Sequence, residues 1–329
     1  MRILIIKTTS LGDVVHNLPI IADIKKQIPN ALIDWVVEES FVEVLTMHAG
    51  IDQVIPVAIR RWRKSIFSKQ TWLELFAFKK LIQSQQYDFV IDTQGLLKSG
   101  LLTYLSNSSN KCGYDKSSAR EPMASCFYNH RFGVSPNFHA VLRNRQLVAL
   151  ALNYTIDEAS LDYGIQVMSN SDVNHTTAAL PSNYILALHG TSRDSKLWAI
   201  EHWIELGKKL QLQDFSLALP WGNDAELQRA KQIASQLEQS LVLPKMGIAS
   251  LANIIQKSQA VIGVDTGLAH LAVALNKPVI GIYTDTNPSL TGLYGGAKQT
   301  FKNLGNQHQK ISAQDVLNQI TAFKIIAHE

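Results

Sequence analysis

Short β-rich apolar runs alternate with amphipathic stretches along nearly the whole of this 329-residue chain. That rhythm is what parallel sheets built from βα units leave in a sequence, and it excludes all-helical, all-β and solenoid architectures. Two sets of runs are visible. The first places strands at Arg2–Ile6, Leu32–Val37, Gln53–Pro56 and Asp88–Asp92. The second places them at Tyr184–Leu188, Phe215–Leu219, Leu241–Leu243, Ala260–Val264 and Pro278–Tyr283. Between the sets, Met168–Ser182 (MSNSDVNHTTAALPS) is polar and without a period, and reads as a linker. The expected fold class is therefore α/β, with two Rossmann-like parallel-sheet domains at 1–167 and 183–329, a linker at 168–182, and a terminal helix that can pack back. Ligands of such sheets gather at the carboxyl ends of the strands, which places the binding loops at a cleft between the domains.

Composition narrows the functional classes. A hydrophobic content of 46% over this length is enough for two cores of ordinary size. The net charge of +4 is too small a surplus to imply nucleic acid, so any basic patch must be local. Cys112 and Cys126 are the only cysteines, which excludes a disulfide framework or a cysteine metal cluster and fits a reducing cytoplasm. The Ile3–Ile6 run is too short for a signal-peptide core, and no apolar run approaches 18 residues, so neither export nor a membrane span is expected.

Two strand ends carry chemistry. Val261–Pro288 (VIGVDTGLAHLAVALNKPVIGIYTDTNP) is a strand that breaks at Asp265-Thr266-Gly267, a helix from about Leu268, and a second strand. Unpaired N–H groups at such a helix start suit an anion. Thr266 can cap the helix and donate a hydroxyl, Gly267 permits close approach of a phosphate, and His270 lies one turn further on the face of Thr266. At the first strand, Lys7-Thr8-Thr9-Ser10-Leu11-Gly12-Asp13 leads into a helix expected to begin at Asp13 and to continue through Val14, Leu18 and Ile21. This loop is not G-x-G-x-x-G, and the chain has no G-x-x-x-x-G-K-[ST], so nicotinamide and P-loop chemistry are disfavoured. Asp13 is a candidate general base.

The segments KTTSLGDVVHNLP, DWVVEE, VIPVAIRRWRK, IDTQGLLKS, AREPMASCFYN, HAVLRNRQL, LPWG and VDTGLAHLAVAL span nearly the full length. On these the chain resembles the lipopolysaccharide heptosyltransferases of glycosyltransferase family 9. The VIPVAIRRWRK and AREP segments point to the branch that adds the first heptose. The resemblance implies a GT-B fold with the acceptor in the N-terminal domain and the nucleotide sugar in the C-terminal one. It implies metal-independent, inverting transfer of L-glycero-D-manno-heptose from ADP-heptose onto the Kdo of Kdo2-lipid A, without a cofactor.

Carried over residue by residue, the resemblance makes Asp13 the base. Thr191, Ser192 and Lys196 become the diphosphate contacts, together with Asp265, Thr266, Gly267 and His270, and Glu226 takes the ribose hydroxyls. Arg60, Arg61, Arg63, Lys64 and Arg120 become acceptor contacts. A Kdo-lipid acceptor carries carboxylates and phosphates, which arginine meets with a planar fork of donors. Basic groups near an anionic leaflet add on the order of 1 kcal/mol each, so a peripheral place on the cytoplasmic face of the inner membrane is expected, where Trp62, Ile66 and Phe67 could dip toward lipid. Asp92, Gln94, His139 and Arg143 fall in matching segments without individual roles. The chain departs from the family at Tyr283–Pro288, where relatives carry Gly-Pro-Thr after the tyrosine. Three other readings remain open at this level: an enzyme that adds a later heptose, a catalytically silent nucleotide-sugar binder, and an epimerase.

Overall fold

The computed structural model describes residues 1–167 and 180–326. The stretch 168–179, where the sequence places the linker, lies outside the described residues. The chain divides into two compact units, Met1–Ile165 and Gln166–Glu329.

In the first unit, Ile3, Leu4, Ile5 and Ile6 are all fully buried, as a strand covered on both faces requires. They form β1 (Arg2–Ile6), followed by β2 (Leu32–Glu38), β3 (Gln53–Val57), β4 (Phe89–Asp92), β5 (Lys111–Tyr114) and β6 (His130–Phe132). The six strands are all parallel, in the order β3-β2-β1-β4-β5-β6. Strand order reverses between β1 and β4, so the loops that follow these two strands diverge to opposite faces and leave a crevice at their carboxyl ends. The helices are α1 (Leu11–Val15), α2 (Pro19–Gln27), α3 (Val42–Thr46), α4 (Ile59–Lys64), α5 (Lys69–Gln83), α6 (Leu97–Leu105) and α7 (Ala140–Leu152).

The second unit repeats the plan with β7 (Tyr184–Leu188), β8 (Ser216–Leu219), β9 (Ser240–Val242), β10 (Ala260–Val264), β11 (Val279–Ile282) and β12 (Phe301–Leu304). Its order is β12-β11-β10-β7-β8-β9, again all parallel, with the reversal between β7 and β10. Its core packs Trp198 against Trp203, ring centroids 4.9 Å apart and edge to face. The closing helix Ala313–Ala322 buries Val316 and Ile320 in that same core, so it packs within its own unit.

Two sequence expectations are corrected. The helix expected to run on from Asp13 begins at Leu11 and stops at Val15, because Pro19 supplies no N–H and instead opens α2 at its first turn. The strands β5, β6 and β12 were not anticipated: Lys-Cys-Gly-Tyr, His-Arg-Phe and Phe-Lys-Asn-Leu are short and half polar, as strands at or beside a sheet margin are. Among the described residues no helix is long and apolar enough to cross a membrane.

Candidate active site

At the reversal point of the first sheet, the loop after β1 is tied to the loop after β4 by one side chain. Gln94 Oε1 accepts from the Thr8 amide (2.7 Å), the Thr8 hydroxyl (3.0 Å) and the Thr9 amide (3.2 Å), while its Nε2 donates to the Thr9 carbonyl (2.7 Å). Gln94 is itself set by Asp92, whose Oδ1 accepts from the amides of Gln94 and Gly95 and whose Oδ2 accepts from the Tyr128 hydroxyl at 2.7 Å. Gly95 sits at φ +66°, a conformation that favours glycine. Burial pushes the Asp92 carboxyl up, so these donors hold a group that serves as a strut. Lys7 reaches under the loop to the Thr93 carbonyl at 3.0 Å.

Asp13 follows this braced loop, in the first turn of α1. Its Oδ2 accepts from the amide and the hydroxyl of Ser10, at 2.8 and 2.9 Å. Burial pushes its carboxyl up, but Lys7, the two Ser10 bonds and Arg120 together outweigh burial and hold it below the usual carboxylate range. Lys7 in turn is lowered by burial first, against the pull of Asp13 and Asp92. Arg120, exposed after β5, therefore acts electrostatically on both. Arg143 donates to the Ser118 carbonyl (2.6 Å) and lies over the Tyr114 ring, and His139 caps α7 by accepting from the Val141 amide.

The basic run occupies α4 and does not act as a block. Arg61 is paired with both Glu39 (3.0 Å) and Glu74 (2.8 Å). Trp62, which the sequence allowed to dip toward lipid or to make a packing contact, does the latter: it is buried against Phe78 and donates to Glu74 at 2.7 Å; one residue per turn of a short amphipathic helix must enter the core, and it is the tryptophan. Arg60 lies over the Phe41 ring at 5.4 Å. Among the described residues Arg60, Arg63 and Lys64 form no ion pair. Lys98 was overlooked, a lone lysine early in a helix giving no signal. Its Nζ donates to the Thr9 hydroxyl at 2.8 Å, and burial first, then Arg60 and Arg63, hold it below its ordinary value against Glu38 and Asp13. Asp13, Lys98, Arg120 and the outward cations of α4 thus share one electrostatic neighbourhood.

In the second unit the reversal point joins the loop after β7 to the loop after β10. The Thr191 hydroxyl donates to the Asp265 carbonyl at 2.9 Å, and Lys196 Nζ lies 2.6 Å from Asp265 Oδ2. Thr286 donates to that same oxygen at 2.9 Å. Ser192 is exposed beside them. Gly190 leaves room for Glu226: a β-carbon there would stand 2.7 Å from its carboxyl carbon. Glu226 accepts from the Gly222 amide at 2.6 Å. Gly267, rather than Leu268, opens the helix Gly267–Ala274. Thr266 holds the cap position without a side-chain cap bond, which leaves its hydroxyl for other use. His270 is buried one turn on. The departure at Tyr283–Pro288 is tied to this site too: Ser195 donates to Asp285 at 2.6 Å and Thr284 to the Ser195 carbonyl at 2.9 Å.

A family model for glycosyltransferase family 9 (heptosyltransferase) matches residues 75–321. Lipopolysaccharide heptosyltransferase 1 of Pseudomonas aeruginosa is 43% identical over 295 residues, covering 90% of this chain and 82% of the relative. The solved structure of E. coli heptosyltransferase WaaC with ADP superposes with a TM-score of 0.87 at 41% identity, covering 98% of this chain and 99% of that one. The same protein with ADP-2-deoxy-2-fluoro heptose gives 0.84 at 40%, covering 98% and 100%. The repeated parallel-sheet plan is the GT-B-like fold of those structures. With the match extending over three quarters of its length, the chain belongs to glycosyltransferase family 9, the heptosyltransferases, and is a glycosyltransferase.

Proposed function

We propose that the enzyme transfers L-glycero-D-manno-heptose from ADP-heptose onto a Kdo residue of Kdo2-lipid A, with inversion and without a metal ion, in assembly of the lipopolysaccharide inner core. The observation that carries the reading is that each sheet's reversal point holds one half of the required chemistry. A carboxylate of lowered pKa is braced at the first, and a lysine, a threonine hydroxyl and a helix start are gathered at the second. The close relative whose structures hold ADP and a fluorinated ADP-heptose supports the donor.

In this mechanism the acceptor hydroxyl attacks the anomeric carbon in one displacement and gives its proton to Asp13, whose Oδ2 is committed to Ser10, so the other carboxylate oxygen, Oδ1, takes it. Low basicity places proton transfer late, concerted with bond formation. The departing ADP gains negative charge as the glycosidic bond breaks. Lys196 and the amides at Gly267 meet that charge, each charge-assisted bond contributing about 1.5–3 kcal/mol. Glu226 takes the ribose hydroxyls. Arg60, Arg63, Lys64 and Arg120 meet the carboxylates and phosphates of an acceptor at the cytoplasmic face of the inner membrane.

The test combines ADP-heptose, Kdo2-lipid A and the purified enzyme in EDTA, and reads ADP release with acceptor mass gain. Transfer is the expected outcome. Transfer only to an already heptosylated core would replace the acceptor assignment, and activity restored only by a divalent ion would end the metal-independent one.

A further inference from the structure

The helix α5 carries two apolar faces. Thr71, Leu75, Phe78 and Ile82 recur at helical spacing and enter the core of the first unit. At about 100° per residue, Trp72 falls on the flank of that core face, and Leu73 and Phe76 fall on the opposite side. The three are 50%, 55% and 65% exposed, and Phe67, in the turn before the helix, is fully exposed. An ordinary surface helix is polar on the side away from the core. Contiguous exposed aromatic and aliphatic groups on that side mark a surface that something covers.

The charges around this face identify the occupant. From Ile59 to Gln83 seven Lys and Arg accompany one Glu, a surplus of six, whereas the whole chain has a surplus of four, so all other residues together are acidic by two. The single acid, Glu74, points to the other flank of α5, where it is consumed by Arg61, Trp62 and Gln70. Lys69 and Lys80 lie on the exposed apolar side, with Lys79 at its edge. A second copy of this face would oppose lysine to lysine. An anionic bilayer satisfies both features, taking the rings between acyl chains and the lysines at the headgroups.

We infer that the Phe67–Trp72–Leu73–Phe76 face of α5 inserts into anionic lipid and docks the first unit on the membrane, with Arg63, Lys64, Lys69, Lys79 and Lys80 at the headgroups. This deepens the proposed function and rests on its membrane-borne acceptor. The helix of 15 residues would lie in the interface plane as a belt about 22 Å long. The cations of α4 that serve the acceptor adjoin it in sequence, so docking brings them to the headgroup layer in the same step.

Vesicle binding needs no acceptor, so it can be measured apart from the assigned reaction. The full chain is titrated with vesicles of phosphatidylcholine alone and of phosphatidylcholine mixed with phosphatidylglycerol. Wild type should bind the anionic vesicles, and Phe67→Ser/Leu73→Ser/Phe76→Ser should lose about tenfold or more in affinity. Brominated acyl chains should quench wild-type fluorescence and spare Trp72→Phe. An unchanged thermal midpoint excludes misfolding of the exposed-site variants, and Lys79→Gln/Lys80→Gln provides a second, charge-only probe that should lower anionic binding. On a deacylated, water-soluble acceptor the triple variant should turn over like wild type, whereas on vesicle-borne acceptor its KM should rise. Undiminished vesicle affinity in the triple variant would overturn the inference. So would absence of quenching by bromine, or a self-association that the triple variant abolishes while vesicle binding stays intact.

Discussion

Asp13 owes its chemistry to neighbours that hold its proton off. Because Lys7, Ser10 and Arg120 outweigh burial, the carboxyl is held below the ordinary aspartate value and protonates only at a lower pH than a free aspartate does. The rate profile for kcat/KM should therefore show no acid limb from this group between about pH 5 and 7. Replacement by Asn keeps the shape and removes the proton acceptor, so Asp13→Asn should lower kcat by about 10²- to 10⁴-fold with the fold intact by circular dichroism. Near-wild-type turnover would remove the assignment. Asp13 itself was legible from its place after a strand end and the family segment around it. Its supports were not, since Gln94 and Lys98 act from the loop and the helix that follow β4, more than eighty residues away, and only the parallel pairing of β1 with β4 brings them in.

Within α4, four cations that look equivalent in sequence divide by what they touch. Arg61 is spent on two carboxylates and is positioned as a brace for Trp62 and α5, whereas Arg63 is exposed and acts on Lys98. Arg63→Ala should accordingly raise acceptor KM by about tenfold, in line with loss of one charge-assisted bond. Arg61→Ala should act chiefly on the thermal midpoint. Steady-state kinetics beside a melting curve separates the two, and equal effects on KM would contradict the division. Run-of-charge patterns cannot make this distinction, because partners such as Glu39 and Glu74 flank the helix from either side. Strands showed the same limit. Fully apolar runs such as Ala260–Val264 were readable to the residue, while β6 and β12 form because a neighbouring strand offers them a ladder, and their own polar composition does not announce it.

Across the whole molecule, acid tolerance should be set in part by His189. Burial first, and Arg229 second, push it down to about 4 from 6.5. A histidine lowered in the fold binds more protons unfolded than folded, so its neutral burial contributes full stability above about pH 6.5. That contribution is lost progressively as pH falls toward 4, a span of roughly 3 kcal/mol. Differential scanning across this range should show a falling midpoint that His189→Gln flattens; a parallel decline in the variant would exclude the histidine as the cause. The two parallel sheets, through their central apolar strands, were the legible part of the molecule, because each unit repeats one simple rule of burial; the strand order and the marginal strands β5, β6 and β12 were not. The ion pair between Lys196 and Asp265 was not readable as a pair, although both members were named. In the structure this lysine has an internal counterion. On the proposed assignment a nucleotide diphosphate enters by substitution, displacing a carboxylate, and stray inorganic anions that cannot also satisfy Thr191, Glu226 and the helix start have little to offer in exchange. Selectivity at this seat is then a contest between an internal anion and an external one, decided by how many groups the newcomer engages at once.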